Sequence, residues 1–192
     1  MITVPLPLLT MKYLAATFSG LLFLLTAVLA VPATGQIQWL SWEEAQARHA
    51  KEPRKLVVDV YTDWCGFCKK MEKATFQHPE ISEYINRNFY PVKFNAEVRE
   101  DITFKDRVFK YVRTISGGYH ELASEITFGR LSFPTVVFFD ENLNVIQPVP
   151  GFKDAGSFEK IMHFFGDDFY RKMPWKKYEM IYEEQISRKS GN

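Results

Sequence analysis

Cysteine is scarce in this chain: among 192 residues there are two, Cys65 and Cys68. With no second cysteine pair, and with His49, His78, His120 and His163 scattered singly, the four regularly spaced ligands of a structural zinc site are missing. An excess of charge of one sign is missing too. Lys plus Arg total 24 against 23 for Asp plus Glu, so no basic field recruits nucleic acid or an acidic membrane surface. The sequence also lacks internal repeats, low-complexity tracts, a Gly-rich phosphate loop and any Ser/His/Asp arrangement worth assigning. These absences leave small molecules or other proteins as partners.

What is present is an ordinary globular composition, 46% hydrophobic and 24% charged, in a chain long enough for one well-packed domain with an appendage. Seventeen Phe residues suit an aromatic core. Near the N-terminus, YLAATFSGLLFLLTAVLAVPATGQ follows Lys12 without a single charge. Its apolar centre, Leu21 to Val31, has the length of a signal-peptide core, and small residues permit cleavage after Ala30 or Gly35. Met11-Lys12 is an alternative start to Met1. Tyr13 to Val31 is also just long enough to span a bilayer as an uncleaved anchor. Either way residues 1–35 place the rest outside the cytoplasm, in the periplasm, free or tethered to the inner membrane.

That compartment tolerates disulfides, so the cysteine pair has three readings: a staple, half of a metal site, or a redox centre. Bridging two intervening residues closes a very small loop and removes little entropy from the unfolded chain, a poor return for a staple. The missing ligands weigh against metal. Redox chemistry fits the context best. KLVVDVYT (Lys55 to Thr62) reads as a central strand buried on both faces. DWCGFCKKMEKATF then takes up helical spacing, with Met71, Ala74 and Phe67 on one face. Cys65 thus falls at a helix N-terminus, where free N–H groups and the helix dipole favour a thiolate. Cys68 lies one turn deeper and, expected to be the more buried, is the resolving thiol.

The rest of the chain alternates. Ser41 caps a helix over WEEAQARHAKE. A helix opens at Pro79, YPVKFNA is a strand, GYHELASEITFG is a short helix closed by Gly129, FPTVVFFD and NVIQPVPG form a hairpin, and DAGSFEKIMHFFG is a helix. The fold class is α/β, with a mixed central sheet flanked by helices.

VDVYTDWCGFCK and the distant FPT (residues 133–135) together resemble the active-site segment and the cis-proline loop of the thioredoxin superfamily. FNAE, YHELA and SFPT are similar to exported thioredoxin-like proteins of Bacteroidetes-type bacteria. The resemblance implies a thioredoxin-like domain at 36–167 acting as a protein-disulfide oxidoreductase without a cofactor beyond its redox-active disulfide. Its implied partners are protein disulfide or dithiol substrates and an upstream redox protein. It makes Cys65 the nucleophile and Cys68 the resolving cysteine, and gives Pro134 a cis peptide bond. Trp64, Gly66, Phe67, Phe133 and Pro134 would contact substrate, with the Phe133 backbone pairing with an extended chain. Asp59 and Lys93 match a buried acid and its lysine, carrying either the resolving thiol's proton or a core-shaping ion pair. Gly66-Phe67 between the cysteines departs from the family's familiar dipeptides, so electron direction rests on Asp59, which points to a reductase. A non-catalytic peptide-binding module on the same fold is the alternative.

Two segments exceed a minimal domain of this kind. In the insertion, residues 98–118, DITFKDRVFKYV alternates on both sides of Lys105-Asp106-Arg107 as a β-hairpin, shaping a substrate groove or covering an edge. The C-terminal extension, 168–192, places Tyr178, Ile181 and Tyr182 at helical spacing, with Trp175 as an anchor, for core cover or for docking a partner.

Overall fold

The computed structural model describes residues 35–115 and 117–190. The expected signal peptide or anchor, apart from Gly35, lies outside them. Among the described residues no helix is long and apolar enough to cross a membrane. In chain order the elements are α1 (Trp42–His49), β1 (Leu56–Tyr61), α2 (Gly66–Met71) continued by a π-helical turn (Glu72–Phe76), α3 (Pro79–Asn88) and β2 (Tyr90–Asn95). Then come β3 (Ile102–Phe104), β4 (Arg107–Phe109), β5 (Tyr111–Thr114), β6 (Gly117–His120) and α4 (Glu121–Ile126). The chain continues with β7 (Thr135–Phe139), β8 (Val145–Pro150), α5 (Ala155–Gly166), α6 (Phe169–Lys172) and α7 (Trp175–Ser190).

The main sheet runs β2-β1-β7-β8, with β1 parallel to β2 and β7 antiparallel to both β1 and β8. The parallel step uses α2 and α3 as its crossover, as a parallel pair must. Turning from β7 to β8 is local: the Asp140 carboxylate accepts the N–H groups of Asn142 and Asn144 at 2.9 and 2.8 Å. β8 is an edge and carries Pro148 and Pro150, residues a central strand would reject.

Alternation along β1 sorts the core into two layers. Leu56, Val58 and Val60 face Trp42, Phe94, Phe104, Leu122 and Phe139 on the side of α1 and α4. Val57 faces the opposite layer with Met71, Phe76, Ile85, Phe138, Phe158 and Phe165. Phe138 stacks on Phe165 at 4.4 Å between ring centroids, and cutting a buried Phe to Ala costs about 3–5 kcal/mol. Trp175 and Tyr178 of α7 pack on Phe164 at 5.2 and 5.0 Å. Ile181, expected beside Tyr178, is exposed, so the apolar stripe of this helix is narrower than its spacing suggests.

Two local readings are corrected. The helix after β1 is interrupted by its π turn, which shifts the register by one residue and brings Phe76, rather than Ala74, onto the buried side with Met71. Ala74 is consequently exposed, and Phe67, which precedes the π turn in the first turn of α2, is exposed as well. The second correction lies in the insertion. Its expected hairpin is β3–β4, turning through Lys105 and Asp106 at φ 49° and 61°, the left-handed pair that a two-residue turn requires. A second hairpin, β5–β6, follows and takes Tyr111 and the segment Gly117–His120, so α4 starts only at Glu121. Gly118 makes this pairing work. A Cβ there would meet the Tyr111 hydroxyl at 2.2 Å, and the Tyr111 ring occupies that space instead.

Candidate active site

Cys65 is the N-cap of α2, in extended backbone at φ −72° and ψ 105°. Cys65 and Cys68 are joined by a disulfide, their Cα atoms 5.3 Å apart. The Cys68 backbone N–H donates to Cys65 Sγ at 3.0 Å. Such a donor, at the end of a helix with no acid in its first turn and with Lys69 and Lys70 following, favours negative charge on the Cys65 sulfur once the bond is opened. Burial does not separate the two cysteines as expected. Cys65 is 5% exposed and Cys68 6%, so position on the helix, and not depth, distinguishes them in the oxidised state.

Behind the cysteines, β1 and β2 place Asp59 beside Lys93 in parallel register. Asp59 is 2% exposed, and Lys93 Nζ donates to its Oδ2 at 2.6 Å. Oδ1 is buried and, among the described residues, has no hydrogen-bond partner. Burial pushes the Asp59 carboxyl above the usual carboxylate range, and the neighbouring Lys93 offsets only part of that push. Burial works in the other direction on Lys93, but Asp59 and Glu72 together hold its ammonium above its ordinary value. Three aromatic rings complete its surroundings: Trp39, Tyr61 and Phe76 lie 4.8, 5.1 and 5.4 Å from Nζ.

Glu72 is the residue that sequence reasoning missed. It accepts a second hydrogen bond from Lys93 Nζ and so turns the expected pair into a carboxylate–ammonium–carboxylate chain. The signal was an acid one helical turn after Cys68, on the same face. A cavity of about 370 Å³ opens beside this chain, lined by Cys68, Tyr61, Thr62, Glu72, Lys93 and Trp39 among others. It puts the second cysteine and the ion cluster on one solvent-reachable surface, which gives a proton near Cys68 a route out.

The opposite wall comes from the loop entering β7. The Phe133–Pro134 peptide bond is cis, as the resemblance implies. Ladder pairing with β1 begins at Thr135, which leaves the Phe133 peptide outside the sheet register. Trp64 and Phe133 meet edge to face at 5.9 Å, while Glu97 accepts from the Trp64 indole N–H at 3.0 Å. Glu97 was not foreseen either, since its partner is 33 residues away. Trp64 and Phe67 are 66% and 63% exposed, and Gly66 has open space where a side chain would be. The rim around the disulfide is therefore apolar, aromatic and open, the composition of a surface that binds other chains. Of the expected site residues, Asp59 meets Lys93 and Trp64 meets Phe133, whereas Phe67 points to solvent.

This geometry agrees with the comparisons to known proteins. The model of the thioredoxin-like domain family matches residues 42–166. The chain is 29% identical over 119 residues to the thiol:disulfide interchange protein DsbD of Haemophilus influenzae, covering 60% of this chain and 17% of that protein. It is 32% identical over 88 residues to spermatogenesis-associated protein 20 of Rattus norvegicus, covering 45% of this chain and 11% of that one. It thus spans about a sixth or less of the length of these relatives. Among solved structures, a thioredoxin-fold protein from Helicobacter pylori superposes with a TM-score of 0.55 at 16% identity, over 84% of this chain and 96% of that one. A thioredoxin from Thermus thermophilus superposes with a TM-score of 0.50 at 18% identity, over 67% and 85%. At these identities the superpositions speak for the fold alone, but the family match spans most of the chain, and this protein belongs to the thioredoxin-like domain family.

Proposed function

We propose that the protein is a thiol–disulfide oxidoreductase that reduces disulfides in exported proteins through the Cys65/Cys68 couple. The observation that carries this reading is one arrangement: a disulfide at a helix start, between an open aromatic rim and a buried acid–lysine–acid chain. In the reduced protein the Cys65 thiolate attacks one sulfur of a substrate disulfide. A mixed disulfide forms and the first substrate thiolate leaves. Cys68 gives up its proton towards the Asp59–Lys93–Glu72 cluster, and its thiolate then attacks Cys65 Sγ. The second substrate thiolate leaves and takes a proton, and two electrons have passed from the protein dithiol to the substrate. A dithiol on an upstream redox protein returns the couple to its reduced form, a role suggested by the interchange protein among the relatives. The Phe133 peptide is the edge on which an extended substrate pairs, and Trp64, Gly66 and Phe67 form the apolar floor beside it.

Reduction is favoured over oxidation by Asp59, a buried acid suited to taking the Cys68 proton in the resolving step. The uncharged N-terminal segment supports export. The decisive measurement is the potential of the couple in glutathione buffers, paired with insulin reduction. A value near thioredoxin's, about −270 mV, is expected, and one above about −200 mV would reverse the assigned direction. Cys65→Ser should abolish insulin reduction, and Cys68→Ser should trap a mixed disulfide. Failure of both would return the protein to a peptide-binding role. Mass spectrometry of the N-terminus from a periplasmic fraction checks the export reading.

A further inference from the structure

The site has two walls contributed by distant parts of the chain, and something must fix the distance between them. The segment Gly151 to Lys153, just after β8, touches both. On one side the Gly151 N–H donates to Pro134 O at 2.8 Å, extending the β7–β8 ladder one step beyond the Thr135–Pro150 pair. Gly151 adopts φ 82° there, a conformation that side chains strain to reach. On the other side Lys153 O accepts from the hydroxyl of fully buried Thr75, in the π turn, at 2.6 Å. Phe152, between them, lies under the Lys70 ammonium, 4.7 Å from the ring centroid. Lys153 Nζ closes the strap on itself by donating to Pro150 O and Gly151 O at 2.6 and 3.1 Å. Lys70 and Thr75 both belong to the helical segment that bears the cysteines.

From this chain of contacts we infer that Thr75 is a positioning residue for extended substrates: through Lys153 and Gly151 it holds the Phe133–Pro134 edge at a fixed offset from Cys65. The inference rests on the oxidoreductase reading above and adds to it a part that discriminates between substrates. A peptide paired along Phe133 presents its sulfur to Cys65 only if edge and cysteine keep their spacing, and a misplacement of about 1 Å costs roughly a hundredfold in a well-aligned reaction. A small disulfide that never reaches the edge has no such requirement.

The test is Thr75→Val, which keeps the shape and removes the hydroxyl, assayed as full-length reduced protein on two substrates. With an extended peptide disulfide, kcat/KM should fall about fivefold, mostly through KM. With dithiobis-nitrobenzoate the rate should stay within twofold, and Thr75→Ser should recover the peptide rate. A purely structural defect would slow both substrates alike, and that result overturns the inference, as does an unchanged KM for the peptide. Should Thr75→Val fail to fold, Lys153→Met probes the same strap from its partly exposed side and must show the same split. Wild-type protein inert towards both disulfides would sink the oxidoreductase reading itself, whereas an active wild type with an indifferent Thr75→Val would sink only the positioning role.

Discussion

Strand β1 has buried charge just before its first residue and again in its second half, and the two sites are built differently. At its start, buried Lys55 is saturated: Glu141 and Asp168 each lie 3.0 Å from its Nζ, and Gly166 O accepts a further hydrogen bond. Arg171 then ties Glu141 to Asp168 from outside. Within the strand Asp59 spends one oxygen on Lys93 and leaves the other without a partner among the described residues, and Lys93 lines a cavity that reaches Cys68. A buried ion with every position filled holds elements together. One left half-satisfied is available for a proton, and that is the difference between a brace and the reactive group proposed for Asp59.

The largest effect that would break this contrast comes from Asp59→Asn. Resolution of a trapped mixed disulfide should slow by roughly a hundredfold, the low end of what a positioned acid or base supplies, as followed by quenched-flow trapping. Stability should move the opposite way. Because the folded carboxyl titrates above its unfolded value, the folded state binds the proton more tightly. The contribution of Asp59 to wild-type stability is therefore greatest at acidic pH and falls as pH rises from the ordinary carboxylate range through its folded pKa. Asp59→Asn should thus gain on the wild type with rising pH in urea melts, and a variant that loses stability at neutral pH would contradict this account.

Lys55→Met is the counterpart. It leaves Glu141 and Asp168 partly solvated and still held by Arg171, so about 2 kcal/mol of stability should go, below the usual range for breaking a fully buried pair. Insulin reduction at 25 °C should stay near the wild-type rate. A comparable fall in activity would erase the distinction between the two charged sites.

His120 offers a third buried group, saturated like Lys55. Its Nδ1 accepts the Leu122 N–H as the cap of α4, and Nε2 donates to Glu100 O. Burial holds its pKa below the ordinary value. Its contribution is therefore full above the unfolded histidine pKa and is lost as pH falls through the folded one. His120→Asn, which keeps a capping acceptor, should flatten the acid limb of the stability profile by about 1 kcal/mol, the usual worth of a cap.

The smallest change is Glu72→Gln. Lys93 keeps Asp59, so resolution should slow by only about threefold, well under the contribution of a primary proton-transfer group. An effect as large as that of Asp59→Asn would make the two carboxylates equal members of one relay.

What the sequence disclosed and what it hid follow a physical division. β1 was legible because its run of mostly β-branched apolar residues, broken by Asp59 alone among charged residues, reads as a strand buried on both faces, and α1 because Ser41 and Glu44 write a capping box in four letters. The two cysteines were legible through their spacing, and Asp59 and the cis bond before Pro134 through the resemblance to the thioredoxin superfamily. The face carrying Phe76 was not, because a π turn breaks the 3.6-residue period without any compositional mark. Nor was β5–β6, since Gly117 and Gly118 interrupt the alternation that announces a strand. Glu72 and Glu97 were hidden for another reason: each gains its meaning from a partner more than twenty residues away, and such pairings exist only after folding.

The two prolines of β8 have a consequence for how clients dock. If, as proposed, the protein acts on extended polypeptides, any bare sheet margin risks being zipped onto them. Pro148 and Pro150 have no N–H to lend, so that margin is missing rungs at two positions. On the far side, Leu40 already pairs with Val92 beside β2. Under the proposed function, a client seeking main-chain bonds would be turned away from these margins and towards the Phe133 peptide.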